Sequence, residues 1–472
     1  MIKTRNSTLR ACMPNWRFAL RTIIFFVASV LSLSGCASLP DYQRLRRTDT
    51  SQTQPVVIGQ EGMLSPARTE QILRDLQQQG KSSLLDRHLA FMQAINSIPL
   101  VVGNAVRLLI DGPSTYDAMF DAIASARDHV NLETYIMEAD AIGEKFAAAL
   151  IEKRAQGVQV NLMYDGVGAR GTPKEFFGRL GAHGIKVCEF NPVNPLKGRL
   201  FRLNNRDHRK ILVVDGKIGF TGGVNISRVY SSSIFKNRGA GPEFAWRDTH
   251  IEVRGPAVKD FQRIFFSNWS KQKCPAPAPG DYFPELKAQG DTVVQTIASS
   301  PETKLNMIYL GLLSAISHAE RSIDITMAYF LPDAQTIDAL RQAVRRGVKI
   351  RLLLPGFSDS WFTFYAGRAH YEELLRAGVR IYERRDALLH AKTVVIDGVW
   401  STVGSSNMDL RSFLHNDEMN VVVLGSEFGR QMHDMFQADL ARSVPVDLTK
   451  WEKRGTLERL KENLARMWEY WL

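Results

Sequence analysis

From Val106 onward the apolar positions switch between two periods. Short apolar runs at 106–109 and 130–136 read as strands, and the stretch between them, 118–126, carries apolar residues at helical spacing. The pattern then recurs: a strand at 293–297, a helix at 305–319 and a strand at 322–330 repeat the opening unit. In both copies a further helix closes at a Gly-Val step, Gly157-Val158 and Gly347-Val348, and a strand follows at 158–164 and 348–354. Another helix, a second glycine step (Gly184-Ile185, Gly378-Val379) and one more strand complete each copy. Tyr135 and Tyr329 are 194 residues apart, and so are Gly184 and Gly378, which marks an internal duplication. Alternating strands and helices predict an α/β fold of two similar halves, each a mixed, mostly parallel sheet flanked by helices.

The halves are expected at 106–272 and 291–445. Between them, 273–290 holds Pro275, Pro277, Pro279 and Gly280 and reads as a stiff linker. Ahead of them, 36–105 is polar and Gln-rich and reads as a tether with short helices near 66–79 and 84–95. Behind them, 446–472 reads as an amphipathic helix, with Leu457, Leu460, Leu464, Met467 and Trp471 at helical spacing and Trp468, Tyr470 and Leu472 nearby. Such a stripe is expected to pack on the core, although its tryptophans leave an interfacial role open.

Residues 1–35 break the pattern. A basic stretch ends at Arg21, an apolar run follows to Leu33, and Leu33-Ser34-Gly35-Cys36 closes the segment. A run of about a dozen apolar residues is short of the ~20 needed to cross a bilayer, and the three-part order is that of a secretory signal. The tetrapeptide resembles a bacterial lipobox, which implies lipidation of Cys36. Ala37 in the next position then implies an outer-membrane, periplasm-facing anchor. Net charge is +11, and removal of the five bases of this leader leaves +6. That mild excess suits a surface meeting phosphates without choosing between nucleic acid and lipid. Hydrophobic residues at 44% exclude a disordered chain. With Cys12 lost with the leader and Cys36 lipidated, Cys188 and Cys274 remain, free to form one disulfide or to stay as two buried thiols.

The candidate chemistry lies in a His-x-Lys-x-x-x-x-Asp pattern that occurs twice: His208, Lys210, Asp215 and His390, Lys392, Asp397. Each copy lies in register with the duplication. Strand alternation puts His and Lys on one face, the run behind them is apolar, and Asp-Gly ends it in a turn. Thr221-Gly222-Gly223-Val224-Asn225 and Val403-Gly404-Ser405-Ser406-Asn407 follow, offering close backbone approach and the Asn225 and Asn407 amides as donors to a phosphoryl oxygen. Two His-Lys pairs in register predict one phosphoryl-transfer cleft between the halves. Asp215 and Asp397 lie seven residues past each His, placed to brace the lysine and the turn. Asp248 and Glu418 are the better candidates to orient the imidazoles.

These motifs resemble the signature of the phospholipase D superfamily, over about 106–442. Gly112-Pro113-Ser114-Thr115-Tyr116 and Asn407-Met408-Asp409-Leu410-Arg411-Ser412 resemble bacterial cardiolipin synthases and related phosphatidyltransferases. The resemblance implies phosphatidyl transfer between phospholipids, phosphatidylglycerol among them, through a phosphohistidine. It makes His208 the nucleophile and His390 the acid/base, and the near symmetry of the motifs leaves the exchanged assignment open. Lys210 and Lys392 would supply positive charge to the transition state. No Cys/His cluster has metal-ligand spacing, and no metal, cofactor, nucleic acid or obligate protein partner is called for. Hydrolysis by water, a nuclease and an inactive lipid-binding scaffold are the rival readings. A longer loop before the first motif carries Lys197, Arg199, Arg202, Arg206 and Arg209, which suggest docking of an anionic head group or membrane surface, or a solvated basic loop.

Overall fold

The computed structural model describes residues 38–50, 53–80, 82–192, 204–231 and 245–471. The leader, Cys36, and Lys197, Arg199 and Arg202 of the basic loop lie outside these residues, as do Leu472 and the Trp471 side chain.

The first half contains strands β1 (Leu100–Leu109), β2 (His129–Thr134), β3 (Gln159–Asp165), β4 (Lys186–Phe190), β5 (Ile211–Val214), β6 (Ile218–Gly222) and β7 (His250–Arg254). Its helices are α1 (Gly112–Ser125), α2 (Ala141–Ala155), α3 (Lys174–Ala182) and α4 (Val258–Lys271). The second half repeats the strands as β8 (Thr292–Ser299), β9 (Ser322–Met327), β10 (Lys349–Pro355), β11 (Arg380–Arg384), β12 (Lys392–Ile396), β13 (Trp400–Gly404) and β14 (Asn416–Leu424). Helices α5 (Met307–His318), α6 (Ala334–Arg345), α7 (Trp361–Arg368), α8 (Tyr371–Ala377) and α9 (Ser426–Leu440) accompany them, and α10 (Thr456–Arg466) follows.

Both sheets have one strand order: β4-β3-β2-β5-β6-β7-β1 in the first half and β11-β10-β9-β12-β13-β14-β8 in the second. The expected mixed sheet is present, but among the seven strands of each half parallel pairing is confined to β2-β3-β4 and β9-β10-β11, where helices make the crossovers. The remaining ladders of the two sheets are antiparallel, and tight hairpins join β5 to β6 and β12 to β13. Asp215-Gly216 and Asp397-Gly398 all have positive φ, the requirement of a two-residue type I′ turn. The two halves join along β1, whose Val101 and Asn104 pair with β8 while Ala105–Leu109 pair with β7. Apolar residues from both sheets form one core, including Ile211, Val213 and Val253 from the first half and Val395, Val403 and Val421 from the second.

Two expectations outside the sheets change, and one open alternative is resolved. The Gln-rich segment is not a loose tether: Tyr42 is buried against Phe91, and helices Pro66–Gly80 and Leu84–Ile95 pack on the second half. His88 bonds Ser314 through Nδ1 and accepts from Trp400 through Nε2. Cys188 and Cys274 form a disulfide across 86 residues, beside Phe265 and Trp269. The C-terminal stripe does not pack on the core. Helix α10 buries Glu462 and Ala465 instead, leaving Leu457, Leu460, Leu464, Met467 and Trp468 exposed.

Candidate active site

Each motif histidine stands just before its strand: His208 and Lys210 lead into β5, and His390 stands two residues before Lys392 opens β12. Short ladders between the halves hold both. Arg206-Asp207 pairs in parallel with Asn416-Asp417 at the start of β14, so the His208 amide donates to the Asp417 carbonyl at 3.0 Å. Trp246-Arg247 pairs with Leu388-Leu389, and the His390 amide donates to the Arg247 carbonyl at 2.8 Å.

This crossing decides the partners of the imidazoles. His208 Nδ1 lies 3.1 and 3.2 Å from the two oxygens of Glu418, which belongs to the other half. His390 Nδ1 lies 2.7 Å from Asp248 Oδ2, again from the other half. A carboxylate on Nδ1 keeps the proton there and leaves the Nε2 lone pair as the reactive group. Burial, reinforced by Lys210, lowers the His208 imidazole to about 4. Burial would raise Glu418, but His208, Lys210 and the Ser405 hydroxyl, which donates at 2.5 Å, hold its carboxyl at about 2. At neutral pH the pair is therefore a neutral imidazole hydrogen-bonded to a carboxylate. His390 is lowered by burial and Lys392, and Asp248 is lowered by Lys392 and His390 against the opposing effect of its burial.

The room for Asp248 comes from Gly223: a Cβ there would sit 2.1 Å from Asp248 Oδ1. The Tyr230 hydroxyl lies 3.3 Å from His390 Nδ1 and accepts from the Asn225 amide at 3.0 Å. Tyr116 donates to the Asn225 and Ser227 carbonyls, and Gly112 passes so close to the Tyr230 carbonyl that no Cβ fits. The 112–116 stretch therefore shapes the site from behind.

Both histidines, Asn225 and Asn407 line one cavity of about 370 Å³. Tyr135 and Tyr329, the landmarks of the duplication, line it too, with ring centroids 4.9 Å from His208 and 6.1 Å from His390. Lys210 and Lys392 are fully buried behind the imidazoles rather than on the cavity wall, each donating to the carbonyl of its own histidine. Burial lowers Lys210 to about 7 and Lys392 to about 8. Asp215 and Asp397, grouped above with the catalytic residues, stand at the far ends of β5 and β12. Asp215 accepts backbone N–H groups from Arg127, Asp128 and His129, and Asp397 from Glu320, Arg321 and Ser322. They brace the turns as expected, but not the lysines.

Arg206 and Arg209 do not form a docking surface, because carboxylates from distant strands draw them inside. Arg209 pairs with Asp417 at 3.1 Å, and Arg206 pairs with Asp165 at 3.4 Å. Arg206 also lines the cavity, and its buried Nε and Nη2 make no hydrogen bond to protein among the described residues. Tyr230 and Trp246 were not expected in the site, and Arg206 was expected only among the bases of the loop before the first motif. Arg206 stood in the basic loop, and Trp246 directly precedes Arg247-Asp248, so adjacency to the motifs was the available signal.

A family profile described as "Cardiolipin synthase, PLD-like domain" matches residues 119–234 and 312–440. The cardiolipin synthase of Geobacillus thermodenitrificans (strain NG80-2) is 35% identical over 382 residues, covering 80% of this chain and 74% of that protein. The major cardiolipin synthase ClsA of Bacillus subtilis (strain 168) is 32% identical over 414 residues, covering 87% of this chain and 84% of that protein. Among solved structures, the phosphatidylserine synthase of Haemophilus influenzae Rd KW20 superposes with a TM-score of 0.60 at 11% identity, over 80% of this chain and 98% of that one, a likeness of fold.

Proposed function

We propose, from its membership of the cardiolipin synthase family of phospholipase D-like proteins, that this chain transfers a phosphatidyl group between phospholipids to make cardiolipin. The observation that carries the mechanism is the crossed pairing of His208 with Glu418 and His390 with Asp248 on one cavity. His208 Nε2 attacks the phosphorus of phosphatidylglycerol and the phosphorus–oxygen bond to glycerol breaks, with His390 giving its proton to the departing oxygen. The head-group hydroxyl of a second phospholipid then loses its proton to His390 and attacks the same phosphorus. The phosphorus–nitrogen bond breaks and His208 is restored.

A phosphodiester brings its own negative charge into the cavity and so favours the charged forms of Lys210, Lys392 and His390 that burial opposes. Asn225 and Asn407 would donate to the phosphoryl oxygens, and Arg206, with two unengaged nitrogens, is a further donor. The neutral imidazole of His208, lowered by burial and Lys210, suits the nucleophile. Lipidation of Cys36 would hold the protein on a membrane, and loss of labelled-palmitate incorporation in Cys36→Ser is its test.

The function is tested by incubating the protein with phosphatidylglycerol vesicles and resolving products. Cardiolipin and free glycerol in equal amounts are expected. Phosphatidic acid alone would replace transfer by hydrolysis.

A further inference from the structure

Of the large hydrophobic side chains exposed among the described residues, more than half lie on two helices, α7 and α10, or just past the end of α10. They are Trp361 and Phe362 on α7, and Leu457, Leu460, Leu464 and, just past its end, Met467 and Trp468, with exposures from 46% at Trp361 to 78% at Met467. The helices pack on each other through Ala366 and Ala465 over Leu331, and Lys461 of α10 lies over the Tyr365 ring. Trp361 packs edge-on against Phe362 and at a tilt against Tyr365, so the aromatic residues of α7 continue towards α10.

This face adjoins the catalytic cavity. Ser360, which caps α7, and Thr363 in its first turn line the cavity together with Asp359. Trp361 and Phe362, between them in the chain, are exposed. One turn of helix thus carries cavity wall on one side and bare aromatic rings on the other.

The charges around the stripe select its occupant. Lys453 and Arg459 are exposed beside it, as is Arg466, which lies 3.8 Å from Glu469, whereas Glu458 and Glu462 of the same helix are held by Lys461 and Arg454. An apolar stripe about 100° wide with aromatic residues and basic flanks matches the boundary of an anionic bilayer, not the interior of a protein.

We propose that α7 and α10 form the face by which this enzyme rests on an anionic phospholipid bilayer, with Trp361 and Phe362 in the interface beside the cavity entrance. The inference rests on the phosphatidyl-transfer reading, because it supposes a substrate resident in that bilayer. It explains how lipid reaches a buried site: the rings part the head groups where Ser360 and Thr363 begin the cavity wall.

The test compares the full chain with Leu460→Ser/Leu464→Ser/Trp468→Ser and, separately, Leu460→Glu/Leu464→Glu. Activity is measured on phosphatidylglycerol vesicles and on a short-chain phosphatidylglycerol kept below its micelle threshold. Any attachment through the N-terminus is the same in every protein, so differences report this face. Vesicle activity should fall at least about ten-fold while activity on the monomeric lipid stays within about two-fold. Unchanged vesicle activity, or equal loss on both substrates, would overturn the proposal. Vesicle flotation of the three proteins, each also carrying Cys36→Ser so that no lipid anchor contributes, reads docking without catalysis: an unmodified chain that makes no product would sink the transfer reading alone, while equal flotation of all three would overturn this one. A dimer that the substitutions split without changing vesicle activity would assign the face to a second copy and overturn it as well.

Discussion

Replacing Glu418 by Gln keeps the shape of the site and changes one proton. The carboxylate accepts from His208 Nδ1 at 3.1 Å, and also from the Ser405 hydroxyl at 2.5 Å and the Asn416 amide at 3.1 Å. An amide can instead donate to Nδ1, which moves the imidazole proton to Nε2 and removes the lone pair that attacks phosphorus. Glu418 is held at about 2 rather than the ordinary carboxyl value, which places it in a favourable field of about 3 kcal/mol. Loss of the reactive tautomer should cut turnover by up to about 10⁴-fold. A phosphatidyl ester of p-nitrophenol separates the two histidines, because that leaving group departs without an acid. Glu418→Gln should abolish the burst of nitrophenol, as His208→Ala does. Asp248→Asn and His390→Ala should keep the burst and lose turnover. Glu418→Gln with a near-normal burst would refute the assignment, and a burst lost in Asp248→Asn instead would exchange the histidines' roles.

Burial lowers His208 to about 4, whereas the imidazole of the unfolded chain takes up its proton near 6.5. The unfolded state therefore binds more protons between those values, so stability is full above about 6.5 and falls by up to about 3 kcal/mol as pH drops to 4. Urea midpoints across that range should show the fall, and His208→Asn should flatten it. Replacing Cys188 and Cys274 together by Ser opens an 86-residue loop and should lower the unfolding free energy by about 2–4 kcal/mol, as should reduction of the unmodified protein. Gly223→Ala places a Cβ against Asp248 and should cut turnover by about 10²-fold through misplacement alone, with an unchanged circular dichroism spectrum. Asp439→Asn weakens the bonds of a buried carboxylate to Arg247 and Arg384, and should cost about 3–5 kcal/mol in a denaturant titration.

Periodicity and repetition carried most of the fold. The 194-residue offset located both halves because the duplicated units kept their strand spacing, and the helix expected at 84–95 is observed as Leu84–Ile95. The sheet character was also readable, since Asp215-Gly216 and Asp397-Gly398 after apolar runs are hairpin signals that require antiparallel neighbours. The carboxylate partners were visible as residues but not as pairs, because Glu418 is 210 positions from His208 and Asp248 is 142 from His390. The burial of Arg206 and Arg209 was hidden for the same reason: they were read as part of an exposed basic loop, and Asp165 and Asp417 arrive from elsewhere. For α10 the pattern showed two unlike faces but not which one meets the protein. The Arg454–Glu462 ion pair and Ala465 decide it, turning the leucines outward.

The crossed partners explain why the duplicated halves act as one site. A half with its own His and its own carboxylate could orient an imidazole unaided, and a slip between halves would do little harm. Here each histidine finds the carbonyl acceptor of its backbone amide and the carboxylate partner of its imidazole in the opposite half, so a shift between halves disorients both groups together. The structure meets that demand with buried charge between the halves. Arg209 is held by Asp417 and the Glu418 carbonyl, and Arg247 is held by Asp439, which also grips Arg384. Buried ion pairs add little net stability over apolar packing, but a displaced pair strands a charge, which penalises every register except one. The guanidinium of Arg209 follows His208 directly, and that of Arg247 directly precedes Asp248. The groups that fix the register therefore sit one residue from the groups that need it, and the linker at 273–290 has only to let the halves meet.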